Sequence, residues 1–486
     1  MSLTPGAGAL RSIVRRLFCS TLSILLLLAG TVVAWEPDVQ LTNDPGVSWT
    51  SYTSARCLAA GSGGSLHAVW FDDRDGNYEI YTKRSLNEGV TWQADVRLSN
   101  NAADQYHPAV AAVDSSVHVV WWDERQGLNS EIFYKRSTDA GATWSEDTRL
   151  TRDTAKSHYP SIAAAGDTVH VVWWDERTGW DIWYKRSTDA GTTWSQDIAL
   201  TATPGLSMWP SLAVSAGSVH VVWFDDRDGN QEIYYKRSTD GGSTWGEDVR
   251  LTSASFYSEY PVTAASGQLV HVAWSDNRDG NYEAYYKRST DGGATWLPDV
   301  RLSNASGSST AMSLAAAGNR AHLFWTDNRD GYWGEIYHRA SRDSGATWGP
   351  DERLTFDGQP SDRPTGCVWG SNVAVLWEDN KPGTWEIYFK RDTLDATALA
   401  GSAATRPRRD GQLVPNPATG GLVTLRSTDS PAAAPVTVRD AAGRLVWSGQ
   451  VRCQGGQLNL ARSGSGVYLV TIGSGPTGEA LKLVIR

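Results

Sequence analysis

Three groups of residues in this 486-residue chain have types and spacings that chemistry uses. Six of its nine histidines, His67, His118, His170, His220, His271 and His322, recur about every 50 residues within one apolar pattern, where metal ligands or general bases would sit. Aspartate and arginine recur two residues apart, as Asp123 with Arg125 and Asp175 with Arg177, and such pairs could hold a hydroxylated or anionic ligand. Asp-Arg-Asp-Gly-Asn turns begin at Asp73 and Asp226, with Asn277 leading a third copy, and resemble loose calcium loops.

All three groups repeat, and repeated residues are first explained by a repeated fold. The histidines share one strand position, held by Ala374 in a seventh copy, which makes them framework; no metal and no cofactor is called. The Asp–Arg pairs read as ion pairs that stiffen turns. The Asp-Gly turns lack the spacing of a twelve-residue calcium loop and read as hairpins.

The repeat itself defines the fold. An octapeptide, Ser137 to Trp144, recurs at 187–194, 238–245, 289–296 and 341–348, with a weaker copy at 85–92. A strand of the form Val-His-Val-Val-Trp-x-Asp ends at Asp72, Asp123, Asp175, Asp225, Asp276, Asp327 and Asp379. Segments typified by Glu-Ile-Tyr-Tyr-Lys-Arg-Ser, Asp-Val-Arg-Leu-Thr and Tyr159-Pro-Ser-Ile-Ala163 keep the same beat, rich in β-branched and aromatic residues between turn residues. Four short strands, A to D, make one unit, and repetition around a ring makes a propeller. The seventh unit lacks its octapeptide and strand D, while Asp38 to Thr42 is an isolated strand D. The expectation is an all-β, seven-bladed β-propeller over 35–392, closed by its N-terminal strand so that no sheet edge stays open.

Ser-x-Asp-x-Gly-x-Thr-Trp is similar to the Asp box, or bacterial neuraminidase repeat, and from Glu36 to about Arg391 the chain resembles the sialidase-like propeller superfamily. The resemblance implies that Asp139, Asp189, Asp240, Asp291 and Asp343 are structural, capping turn amides beside a left-handed glycine. Sialidases of that superfamily need three arginines for the substrate carboxylate, a Tyr nucleophile with a Glu partner and an Asp acid/base. Here Arg56 stands in Ser-Ala-Arg-Cys-Leu, outside the family's Phe/Tyr-Arg-Ile-Pro context. On the loop face Arg152 and Arg363 are the other non-repeated arginines, and Tyr159 or Tyr260 with Glu259 could be drafted as nucleophile and partner. Family sialidases have six blades against seven here. The resemblance therefore implies a divergent, non-catalytic member that binds a glycan or glycoprotein; the alternatives are an exo-α-sialidase or related glycoside hydrolase, and a protein-interaction scaffold.

If identical positions are architecture, binding chemistry belongs to the odd ones on the face of the D-to-A and B-to-C loops: Arg56, Tyr106, His107, Arg152, His158, Tyr159, Trp180, Trp209, Glu259, Tyr260, Trp333, Arg363 and Trp385. Aromatic rings among polar groups suit sugars, whose apolar faces stack while their hydroxyls hydrogen-bond. A net charge of −10 and no basic segment argue against nucleic acid.

Both ends carry addresses. Arg11, Arg15 and Arg16, the apolar run 24–28 and Val32-Val33-Ala34 form a signal peptide over 1–34, and no later stretch is a transmembrane span. Residues 393–412 break the beat as a linker. Residues 413–486 alternate strands and turns as a small β-sandwich, which resembles the type A sorting domain of the type IX secretion system. That implies type IX export machinery as a partner and a secreted or outer-membrane-surface location in a Gram-negative bacterium. Cys57 and Cys367 fall in strand A of the first and last blades and are candidates for a disulfide across the seam.

Overall fold

The computed structural model describes residues 35–52, 55–127, 129–331, 333–392 and the strands of a C-terminal unit between 411 and 485. The expected signal segment 1–34 and nearly all of the expected linker 393–412 lie outside the described residues. The chain divides into two units, Met1–Leu399 and Ala400–Arg486.

In the first unit seven antiparallel sheets repeat one plan. Blade 3 shows it: Ser157–Ala165 (A), Thr168–Asp175 (B), Asp181–Ser187 (C) and Ile198–Ala199 (D), innermost to outermost. Blade 7 has Ser361–Trp369, Asn372–Asp379 and Glu386–Asp392, and its outer strand is Val39–Gln40, paired through Val39 with Phe389 and Gln40 with Tyr388. The N-terminal strand closes the ring as its sequence demands. Thr42 Oγ1 donates to Glu386 Oε2 at 2.6 Å and Arg391 Nε to Glu36 Oε2 at 2.8 Å across that seam.

Strand B holds each blade. The Trp of Trp-x-Asp (Trp70, Trp121, Trp173, Trp223, Trp274, Trp325, Trp377) is fully buried, and its Nε1 donates to the Asp two residues on at 2.8–3.2 Å. In blades 1 to 6 the same carboxylate takes the following arginine through Nε and Nη2, as Asp123 takes Arg125 at 2.8 and 2.6 Å. That guanidinium lies 4.2 Å over Phe133. The Asp–Arg pairs are thus consumed within their own turns. So are the loose calcium-like turns: Asp73 Oδ1 accepts from Val47 N at 2.7 Å and Asp226 Oδ1 from Leu206 N at 2.6 Å, pinning the neighbouring D-to-A loop.

The octapeptides lie at the opposite end, in the C-to-D turns. Ser137 Oγ donates to Asp139 Oδ1 at 2.7 Å and accepts from Gly141 N at 2.8 Å, while Thr143 N and Oγ1 donate to Asp139 at 2.8 and 2.6 Å. These bonds, the Thr143 hydroxyl first, hold the Asp139 carboxyl below the usual carboxylate range. Each octapeptide glycine takes a left-handed φ, and Gly191, Gly242, Gly293 and Gly345 lie against the strand-C tyrosine of the previous blade; a Cβ on Gly191 or Gly242 would collide with the Tyr134 or Tyr184 hydroxyl. Those hydroxyls bond the repeated histidines, His118 Nδ1 to Tyr134 and His170 Nδ1 to Tyr184, both at 2.7 Å. Burial lowers both imidazoles to about 4, so they are neutral spacers.

Blade 1 departs from the plan. Its strand A is split into Ser48–Trp49 and Leu58–Ala60, both paired with Leu66–Asp72. Nine residues carry the chain from Ser48 to Cys57, where four carry it from Ser157 to Ser161 in blade 3. The cross-seam disulfide does not form: Cys57 and Cys367 are free, buried thiols. In register Cys57 matches Thr365 and Cys367 matches Ala59, a two-residue stagger of about 6.6 Å along the strands. Burial pushes the Cys57 thiol up to about 11.

The C-terminal unit consists of two antiparallel sheets. One holds Gly411–Val414, Leu422–Ser427 and Gln454–Asn459; the other orders Leu445–Arg452, Ala433–Asp440, Gly466–Ile472 and Glu479–Ile485. Val438, in the centre of the second, is fully buried.

Candidate functional site: the mouth of the central channel

The seven A strands line the channel, mostly with Ala and Val, around a cavity of about 200 Å³. Just before each strand enters it, blades 2 to 7 carry a β-bulge, seen as a register break such as that between His158 and Ser161. The bulged residue has a left-handed φ in every case: His107 (49°), Tyr159 (46°), Trp209 (55°), Tyr260 (52°), Ala311 (48°) and Arg363 (50°). A side chain there costs about 1–2 kcal/mol that glycine would avoid, and strain kept at non-glycine residues marks sites that use the side chain. The bulge aims these residues over the mouth.

There the rings meet. Tyr159 and Trp209 are 4.0 Å apart between centroids, His107 and Tyr159 4.7 Å, and Trp209 and Tyr260 5.3 Å. The extra residues of blade 1 carry Tyr52 into the same cluster, 5.5 Å from Trp209 and 5.9 Å from His107. Arg363 closes the circle, its guanidinium 4.3 Å over Tyr52 and 5.4 Å from the Trp49 ring. Trp49, Tyr52, Phe71, Tyr78, Tyr106, His107 and Arg363 line a pocket of about 260 Å³.

A second row backs the first. The variable residue of Trp-x-Asp pairs across with the residue before the bulge: Trp122 with Tyr106, Trp174 with His158, Phe224 with Met208, Ser275 with Glu259, Thr326 with Thr310 and Glu378 with Asp362. Blades 1 to 4 are therefore aromatic or apolar in this row and blades 5 to 7 polar. Trp174 stacks on Trp180 at 4.8 Å and on His158 at 4.6 Å. Burial lowers His107 and His158 to about 3, so both are neutral rings.

Glu378 is the buried acid of the polar arc, with no exposed surface. Its Oε2 accepts from Thr50 N at 2.9 Å and Oγ1 at 3.1 Å, and Arg363 Nη1 stands 3.1 Å from its Oε1. Burial pushes its carboxyl up to about 8, against the opposing pull of Arg363. Glu378 is thus held toward its protonated form and offsets the Arg363 charge less than an ionised carboxylate would, while Asp362, next to Arg363 in the chain, acts on the same guanidinium.

The remaining sequence candidates are dispersed. Arg56 lies inside the channel, where its Nη2 donates to Thr263 O in blade 5 at 2.8 Å. Arg152 is exposed in a separate cavity with Trp183 and Trp194. Trp385 packs on Trp49 at 5.1 Å, and Trp333 is exposed on its loop. Glu259 Oε2 accepts from Tyr282 Oη at 2.7 Å, and Tyr260 is raised by burial first and by the Glu259 charge second. Sequence reasoning missed Tyr52, Trp49, Trp122, Trp174 and Glu378. Glu378 was visible as the one acid at a position that otherwise holds Phe, Trp, Ser or Thr. Tyr52 lies in a segment with no counterpart in the repeat.

Residues 412–486 match the family described as the secretion system C-terminal sorting domain, so the chain is an exported seven-bladed propeller bearing a type IX sorting domain, bound for secretion or attachment at the cell surface. No curated protein matches the chain. Among solved structures, a polysaccharide lyase described as an ulvan lyase superposes with a TM-score of 0.53 at 12% identity, covering 74% of this chain and 99% of the lyase. The complex of such an ulvan lyase with -[GlcA(1-4)Rha3S]- gives 0.53 at 13% over the same shares. A Hadza microbial sialidase gives 0.42 at 17%, over 67% of this chain and 76% of its own. At these identities the lyases share the propeller fold.

Proposed function

We propose that the propeller is a glycan-binding module, secreted or displayed at the outer-membrane surface, which takes an acidic saccharide at the channel mouth. The observation that carries this reading is the set of strained bulges that bring Tyr159, Trp209, Tyr260 and Arg363 around Tyr52. The rings offer stacking faces to pyranose units, and Arg363, which lines the pocket, offers a carboxylate or sulfate its guanidinium. Binding rather than turnover is supported by the scatter of Arg56, Arg152 and Arg363 over three cavities. It is also supported by Tyr159, which burial raises to about 12, opposite to what a nucleophile needs. The aromatic lining of the pocket favours a sugar over a protein-docking scaffold.

The test is calorimetry of the purified chain with uronic-acid oligosaccharides, -[GlcA(1-4)Rha3S]- among them, alongside a glycan array, a fluorogenic sialoside and the ultraviolet absorbance of an unsaturated uronate. Saturable binding without product is expected. Product from either substrate, or no retention of any acidic glycan, overturns the reading.

A further inference from the structure

On the face opposite the mouth, the seam between blades 1 and 2 differs from its counterparts. Elsewhere strand C presents a ring: Tyr134, Tyr184, Tyr235, Tyr286, His338 or Phe389. A tryptophan of the adjoining blade packs edge-on against it at 4.8–5.2 Å between centroids: Trp194, Trp245, Trp296, Trp348, Trp35 and Trp92 in turn. Blade 1 has Thr82 at this position. The Thr82 hydroxyl turns away to donate to Ala68 O at 2.9 Å. Beside it lies a cavity of about 250 Å³ lined by His67, Thr82, Arg84, Gly141 and Trp144, with Gln93 and Val96 exposed at its rim.

Two further observations point to an occupant. A Cβ on Gly141 would meet nothing nearer than His67 Nδ1 at 3.4 Å, whereas one on Gly191, Gly242, Gly293 or Gly345 would strike a tyrosine hydroxyl. His67 is 1% exposed and neither ring nitrogen has a partner, while Nδ1 of His118, His170, His220 and His271 bonds a tyrosine hydroxyl at 2.6–2.8 Å. Arg84 is engaged at the rim, with Ala140 O at 2.7 Å and Gln93 Oε1 at 2.8 Å, so His67 is the open polar group of the floor.

We infer that this cavity is a binding site for a small phenolic ring, which takes the place that tyrosine side chains occupy in blades 2 to 5, with its hydroxyl on His67 Nδ1 and its face toward the Trp144 edge. The shape comes from the repeat and the opening from a single residue. A recess of this size beside an aromatic edge has room for a free aromatic molecule, and the buried imidazole on its floor selects one with a hydroxyl.

Phenol is the probe, titrated into the full chain by calorimetry while the His67 ring-nitrogen NMR resonances are followed. One saturable site that moves those resonances is expected, with toluene about five- to tenfold weaker for want of the hydroxyl. Thr82→Tyr fills the space and should weaken phenol at least about tenfold. Absence of saturable phenol binding, toluene binding as tightly as phenol, or undiminished binding to Thr82→Tyr overturns the inference. If that variant does not fold, the His67 resonances of the unaltered chain decide: they must shift with phenol.

Discussion

The two ends of each central strand follow opposite rules. At the end near the octapeptide turns, blades 2 to 5 have the same histidine and tyrosine, each met by the glycine and tryptophan of the next blade, because each group packs across a seam of the same build. At the channel end the backbone is just as regular, with a bulge of the same φ in six blades, yet the side chains it holds range from Ala311 to Trp209 and Arg363. Uniform backbone with varied side chains separates presentation from construction. The repeat builds a ring of equivalent left-handed sockets, and specificity lies in what fills them.

Substitutions at the two ends should therefore have separable effects. The largest is expected at the construction end: Tyr235→Ala removes a buried ring from His220 and Trp296 and should cost about 3–5 kcal/mol by denaturant unfolding, with glycan affinity retained at low temperature. At the mouth, Trp209→Ala and Arg363→Ala should each weaken acidic-glycan binding about ten- to a hundredfold by calorimetry while shifting the unfolding midpoint little. Loss of folding with loss of binding in these variants would break the comparison.

Glu378 links binding to stability. Its folded pKa, about 8, is raised above the unfolded value of about 4.3. The stability it contributes is full below the unfolded value and is lost as pH rises through 8. Glu378→Gln should match the parent near pH 4 and exceed it near pH 9 by on the order of a few kcal/mol. The parent should also release acidic glycan as Glu378 ionises beside Arg363, and the variant should not. Equal pH profiles would show that burial does not govern this carboxyl.

The smallest effect concerns the sockets. At Tyr260, φ is 52°, so Tyr260→Gly should be more stable than Tyr260→Ala by about 1 kcal/mol, the reverse of the order at an ordinary strand position. Matched thermal unfolding curves check this.

The ring and its closure were legible because they are written in period: four strands per unit, seven Trp-x-Asp copies, and an isolated Asp38–Thr42 strand that matches what the last unit lacks. The rule that odd positions carry chemistry led to His107, Tyr159, Trp209, Tyr260 and Arg363, which the structure brings together. It also led to Arg152 and Arg56, which it does not, since a loop residue can be unique without facing the axis.

Local pattern by itself determined strand identity, blade count and turn chemistry, because hydrogen bonding and side-chain alternation act over a few residues and the repeat multiplies the signal. Which singular residues meet follows from the assembled ring alone. The bulge rotates one side chain toward the axis, the five extra residues of blade 1 deliver Tyr52 to the centre, and a two-residue stagger keeps Cys57 from Cys367. Such contacts join residues far apart in the chain, as Arg363 does with Tyr52, and depend on the angle at which the closed ring sets one blade against another.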